Sequence, residues 1–185
     1  MMSNRTGRPS GALKITFCGI MAALGVVIML VGGLLGVATY CAPLLAAMCL
    51  IPVLIEFGQG FAWLTWFVTA ALSALLSADK EGAFFYVFLG YYPIIRLLFS
   101  RIANRPLRFA AKLLFFIAAV AVMYLFLLFV LRLDAVTEEL GSVSALVNAL
   151  YFAALIAILA AYDAVLGVVE NLYMRRIRPK LRFLG

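Results

Sequence analysis

ITFCGIMAALGVVIMLVGGLLGVA, residues 15–38, runs for 24 residues without a charge. Roughly 20 apolar residues at about 1.5 Å of helical rise each cross the hydrocarbon core of a bilayer. Arg5, Arg8 and Lys14 precede the stretch, much as basic residues precede a secretory signal. The run is too long for a signal h-region of roughly 7–15 residues. It therefore reads as an uncleaved first membrane span.

Working outward, the same composition fills the chain. Of 185 residues, 67% are hydrophobic and 12% are charged, whereas a soluble domain is about half apolar and about a quarter charged. A chain this short cannot hide so much apolar surface from water, because small proteins keep a large fraction of their surface exposed. The expected fold is all-α, a polytopic membrane helical bundle. About six spans are expected, at 15–38, 41–57, 61–78, 83–99, 110–131 and 145–170, so that 1–185 forms a single integral membrane domain. The second holds Pro43 and Pro52, and the fourth holds Pro93 and Arg96. A membrane helix tolerates proline when neighbours satisfy the freed carbonyl.

Charge sets the orientation. Placing the N-terminus in the cytoplasm puts every Lys and Arg there except Lys80 and Arg132, out of 15. The positive-inside rule then predicts both termini in the cytoplasm, which requires an even number of spans. Asp79, Glu81, Asp134, Glu138 and Glu139 fall on the opposite side. The net charge of +7 does not point to nucleic acid, since the basic residues sit between apolar runs and not along one amphipathic face.

Most enzyme classes lack their residues. The chain has no histidine, which removes Ser-His-Asp triads and HExxH zinc sites. It has neither GxSxG nor GxxxxGK[ST], so it cannot split ATP through a P-loop. Glu138–Glu139 reads as a solvated loop. Cys18, Cys41 and Cys49 form no CxxC pair and read as small buried hydrophobes. No catalytic residue, metal site or cofactor is expected.

Four constellations remain. In the first, Asp79-Lys80-Glu81-Gly82 leads into Tyr86 and Gly90-Tyr91-Tyr92-Pro93. Gly82, Tyr86 and Gly90 share a helix face, and the glycines admit close approach by a neighbouring helix or a ligand. Charge at the mouth with aromatic walls suits a small ligand; an ordinary turn with tyrosines packed between helices is the competing reading. In the second, small residues recur every four positions in the first span, at Gly19 and Ala23, Cys18 and Ala22, and Gly32 and Gly36. Such faces bring helices into contact, within the bundle or with a partner. The third is Asp163 with Glu170, for which an ion pair to Lys112 or Arg96 is expected in preference to a proton relay. The fourth gathers Asn148, Tyr151, Arg132, Asp134 and Tyr40 near the outer ends of the spans.

The segment Thr16-Phe17-Cys18-Gly19-Ile20-Met21-Ala22-Ala23-Leu24-Gly25-Val26-Val27 resembles the first helix of the substrate-binding S components of energy-coupling-factor (ECF) transporters. The Asp79-Lys80-Glu81 to Gly90-Tyr91-Tyr92-Pro93 segment also looks like one found in bacterial membrane proteins of this type. The resemblance implies a six-helix bundle with Gly19 and Ala23 docking on a transmembrane coupling subunit, glycine standing where alanine is more usual. It also implies ATP-binding subunits as partners and an outer substrate site drawing on Tyr40, Lys80, Glu81, Tyr86, Arg132 and Asn148.

The expected function is therefore substrate capture for an importer of a vitamin-like small molecule. Three alternatives stay open. They are a self-sufficient secondary transporter carrying protons on Asp163, a non-transporting scaffold or assembly protein, and a histidine-free intramembrane enzyme.

Overall fold

In the computed structural model, residues 10–35, 39–100, 103–126 and 145–180 are described. They form eight α-helices: α1 (Gly11–Leu35), α2 (Cys41–Met48), α3 (Leu50–Phe57), α4 (Gln59–Leu76), α5 (Lys80–Leu89), α6 (Tyr92–Ser100), α7 (Arg105–Phe126) and α8 (Ala145–Leu172). A π-turn, Tyr173–Ile177, and a short 3-10 turn, Arg178–Lys180, continue α8. No strand occurs among the described residues. Arg5, Arg8, Gly36, Arg101, Arg132, Asp134, Glu138, Glu139 and Arg182 lie outside them.

A helical segment lies at each expected span, with two of them broken. The second is split at Cys49 into α2 and α3, and the fourth at Gly90–Tyr91 into α5 and α6. Proline supplies no N–H to the carbonyl four residues back. Pro52 thus leaves the Met48 carbonyl, and Pro93 the Leu89 carbonyl, without a helical donor. Gly58, between α3 and α4, has φ +84°, a left-handed conformation that glycine adopts without steric cost. Asp79 starts α5: its backbone is extended and its Oδ1 accepts a hydrogen bond from the Gly82 N–H at 2.9 Å.

Four helical stretches among the described residues are long and apolar enough to cross a membrane: Gly11–Leu35, Gln59–Leu76, Lys80–Phe99 and Ile156–Ile177. Cys41–Phe57 is a shorter apolar helix. The direction of the side chains agrees with a lipid environment. On α4 the buried residues are Ala62, Thr65, Thr69, Ala70 and Ser73, while Leu64, Phe67, Leu72, Leu75 and Leu76 are exposed. A helix of a soluble protein has the reverse arrangement. α1 likewise exposes Ile15, Ile20, Leu24, Val27, Val31 and Leu34. Apolar surface this extensive is stable against acyl chains and not against water. The chain is an all-α membrane protein.

The helices group into two compact units, 1–95 with 166–185, and 96–165. In the first, α1 packs against α2, α3 and α4, and α5 packs against α2 and α4. Cys18, Ala22, Gly25, Val26, Met29 and Gly32 form the buried stripe of α1 at the three- and four-residue spacing of a helix face. One core cluster joins Cys18, Leu50, Val53, Ala62 and Ile94, with Phe17, Phe57, Phe61, Trp66 and Tyr91 around it. In the second unit, Phe116, Ala119 and Val120 of α7 and Leu159 and Tyr162 of α8 are buried, and Phe115 meets Phe99 edge-on at 5.8 Å.

Candidate functional site

The polar groups of the first unit gather at its two ends and along one interior line. At the end where α1 and α4 finish and α2 and α5 begin, the Tyr40 hydroxyl donates to Glu81 Oε1 at 2.5 Å. Its ring meets Phe85 edge-on at 5.3 Å. A phenol bonded this closely to a carboxylate is a charge-assisted contact, stronger than a neutral one. It ties the start of α2 to the first turn of α5.

Two glycines let this end close up. A Cβ on Gly82 would lie 2.7 Å from Asp79 Oδ2 and 2.9 Å from the Thr39 carbonyl oxygen. A Cβ on Gly33 would lie 3.2 Å from both the Ser77 hydroxyl and the Asp79 Cβ. The close approach expected at Gly82 is thus made by Thr39 and Asp79. At Gly90 it is made by the Tyr86 ring, whose nearest carbons would be 2.8 and 2.9 Å from an added Cβ.

Beneath this end, Thr65, Thr69 and Ser73 of α4 and Ser77 at its C-terminal cap recur every four residues, each buried. Thr65 and Thr69 donate back to the carbonyls of Phe61 (2.8 Å) and Thr65 (2.9 Å). Among the described residues, Ser73 and Ser77 have no hydrogen-bond partner, and neither does the hydroxyl of the fully buried Tyr86. Thr69 lies beside that hydroxyl, short of hydrogen-bond geometry. Buried polar groups normally find partners, and leaving one unmet costs about 1–3 kcal/mol. With Trp66 Nε1, four such groups occur in the described residues of this unit, so the fold has left hydrogen-bonding capacity unused there.

The residues expected in the outer site therefore separate. Tyr40 and Glu81 are brought together. Lys80 turns away, its exposed ammonium donating to the Ala74 carbonyl at 3.0 Å. Tyr86 lies in the interior beside Thr69. Asn148 belongs to α8, but its side chain, like the whole of Arg132, is outside what is described. The hydroxyl line on α4 went unnoticed in the sequence, although the four-residue recurrence of Thr and Ser in an apolar helix is a legible signal.

At the opposite end of the unit, Glu56 Oε1 accepts from the Tyr173 hydroxyl at 3.3 Å and pairs with Arg178 at 3.5 Å. Lys14 lies over the Phe61 ring, 5.7 Å from its centre. Gly19 and Ala23 point outward from α1; a Cβ at Gly19 would have nothing within 4 Å. Gly19 lines a groove of about 150 Å³ between α1 and α4, with Ile15, Cys18, Ala22, Phe61 and Thr65 among its walls. Cys18 and Ala22 face the bundle, so two of the three small-residue pairs expected from the sequence serve different sides of the helix; in the third, Gly32 is buried and Gly36 lies outside the described residues.

In the second unit, Asp163 is held by two cations, Arg96 at 3.0 Å and Lys112 at 2.5 Å. The expected ion pair is thus a triad. Among the described residues no cluster of three or more His, Cys, Asp and Glu could hold a metal ion.

No protein-family model matches the chain, and no curated protein or solved structure matches it either.

Proposed function

We propose that this chain is the substrate-capture subunit of an ECF-type importer for a vitamin-like small molecule, worked by separate ATPase partners. The observation that carries the reading is the outward face of α1. Gly19 and Ala23 are exposed, and the groove beside Gly19 has apolar walls. A small-residue face lets a second helix approach to backbone contact, and among the described residues nothing lies within 4 Å of where a Gly19 Cβ would be. At the far end of the same unit, the Tyr40–Glu81 pair above unpartnered hydroxyls supplies polar groups for a ligand. The finer topology belongs to the same proposal: six spans and both termini in the cytoplasm, as the distribution of Lys and Arg suggests, in a bacterial plasma membrane, as the family resemblance implies.

The test is a mild-detergent pull-down of the tagged protein from its native membrane, followed by mass spectrometry. A transmembrane subunit recovered with two ATPases is the expected result, and a co-purified metabolite names the substrate. The chain recovered alone, or only with itself, removes the importer reading. A secondary transporter working through Asp163 is less favoured, because that carboxylate is committed to Arg96 and Lys112.

A further inference from the structure

We infer that the groove between α1 and α4 seats one acyl chain of an anionic phospholipid, whose phosphate is held by Lys14 at the groove's end. The inference goes beyond substrate capture. The lipid fills the groove while no partner helix is docked there, and it binds whether or not partner subunits exist.

The groove, of about 150 Å³, follows the two helices side by side. The buried Cys18, Ala22 and Thr65 form its floor, and the exposed Ile15, Leu64 and Val68 its rims. From Ile15 to Ala22 is about 10 Å of helix, the reach of a stretch of hydrocarbon chain. Gly19 keeps the middle open, since it has no side chain to fill it. The Thr65 hydroxyl is turned to the Phe61 carbonyl at 2.8 Å, so the floor offers a ligand mainly apolar contact. An unfilled slot forfeits dispersion contacts, and acyl chains are what surrounds this lipid-facing surface.

Charge selects the lipid. Phe61 lines the groove and also lies under the Lys14 ammonium, 5.7 Å from the ring centre. Lys14 is the last charge before the 24 uncharged residues of the first span, which puts its flexible chain within reach of the lipid phosphates. Among the described residues its ammonium makes no ion pair. At this end Glu56 is already taken by Arg178 and Tyr173. Arg175 and Arg176, in the same turn as Tyr173, are exposed. Each cation near the membrane surface attracts anionic lipid by about 1 kcal/mol, and basic pockets between spans bind such headgroups. A zwitterionic headgroup brings a cation of its own to this basic end and gains less. A second copy docked through the same face, in the same orientation, would set Lys14 against Lys14.

The test follows thermal unfolding of the purified chain, alone in a neutral detergent. Dioleoyl phosphatidylglycerol is titrated in, and phosphatidylcholine with the same acyl chains in parallel. Phosphatidylglycerol is expected to raise the midpoint saturably by about 5 °C more than phosphatidylcholine does. Glycerol phosphate, the headgroup without chains, is expected to leave it unchanged. The preference should vanish in Lys14→Gln, be kept in Lys14→Arg and fall in Gly19→Leu, whose side chain fills the groove. It should persist in Arg108→Gln, which removes the same charge from α7. Equal shifts with the two lipids overturn the inference, as does a preference that survives in Lys14→Gln or is lost equally in Arg108→Gln. A full effect of glycerol phosphate, or a Gly19→Leu response equal to that of the wild type, removes the acyl chain from the groove and overturns it too. A midpoint that rises with protein concentration and ignores both lipids assigns the groove to a second copy instead. If a variant does not fold, native mass spectrometry of the wild type decides: phosphatidylglycerol adducts no more abundant than phosphatidylcholine adducts at equal concentration overturn the inference. No partner subunit enters these measurements, so their failure leaves the importer reading where the pull-down puts it.

Discussion

Asp163→Ala tests the triad of the second unit. The substitution leaves Arg96 and Lys112 facing each other without their shared anion, their side chains only 24% and 16% exposed. Removing one partner of a buried ion pair costs about 3–5 kcal/mol, because the remaining charge keeps its desolvation penalty. Some water reaches these groups, which places the expected loss near the lower end, about 3 kcal/mol. For a chain of this length each kcal/mol moves the midpoint by roughly 2–4 °C, so the fall is about 6–12 °C. Circular dichroism of the detergent-solubilised protein measures it. A cycle with Lys112→Ala isolates the pair, with a coupling of at least about 1 kcal/mol expected. A loss under about 0.5 kcal/mol, the scale of surface substitutions, together with additive single effects, would refute the structural role. Asp163→Asn adds a functional arm. If it folds and uptake persists in proportion to folded protein, the side chain is structural. If it folds and uptake stops, Asp163 moves the proton and the secondary-transporter reading returns.

Gly19→Leu is expected to abolish co-purification of a partner and uptake while shifting stability by less than about 0.5 kcal/mol, since the site is open; ligand binding to the purified chain should survive. Gly82→Ala should destabilise by about 1–3 kcal/mol, because its Cβ meets the Thr39 backbone at 2.9 Å, and thermal unfolding reads the change. Tyr40→Phe removes the hydroxyl bonded to Glu81; a loss of about 1.5–3 kcal/mol is expected for a bond to a charged group, and no loss in unfolding experiments would show that water replaces it.

The helical fold was legible because the apolar runs are long and the charges fall between them. The breaks at Cys49 and Gly90–Tyr91 were only half legible. Pro52 and Pro93 are visible in the sequence, but a proline can kink a helix or end it, and the neighbours decide which. The triad was readable in outline, since three charges in apolar segments must meet something, and Asp163 meets both expected cations. The polar end where α1, α2, α4 and α5 meet was less readable. Tyr40 and Glu81 meet across 41 positions, which no local pattern encodes. Lys80 was grouped with them by the family resemblance; its ammonium bonds the Ala74 carbonyl near the end of α4, a contact that no sequence pattern announces. The hydroxyl line was overlooked for a different reason: Thr and Ser in an apolar run look like neutral filler until the opposite face proves to be the lipid face.

That line also separates two kinds of buried hydroxyl. The deeper pair, Thr65 and Thr69, bond back to their own helix and are satisfied. The pair nearer Asp79, Ser73 and Ser77, do not. If an unmet hydroxyl were only a flaw in packing, Ser73→Ala should stabilise the protein by about 1–3 kcal/mol, the desolvation penalty it removes, with no other effect. If the hydroxyl is kept for a ligand, the same substitution stabilises the empty protein and weakens uptake or ligand binding together. Opposite signs of this kind characterise functional sites that trade stability for activity. Paired measurement of the unfolding midpoint and of uptake in cells distinguishes the two, and destabilisation by Ser73→Ala refutes both, since it requires a partner for that hydroxyl. Among the hydroxyls of this line the unmet ones lie nearer Asp79 and the satisfied ones deeper, while Trp66 Nε1 and the Tyr86 hydroxyl are unmet elsewhere in the unit, so the sign of the Ser73→Ala effect, and not the position of the unmet groups, decides between a packing flaw and a ligand.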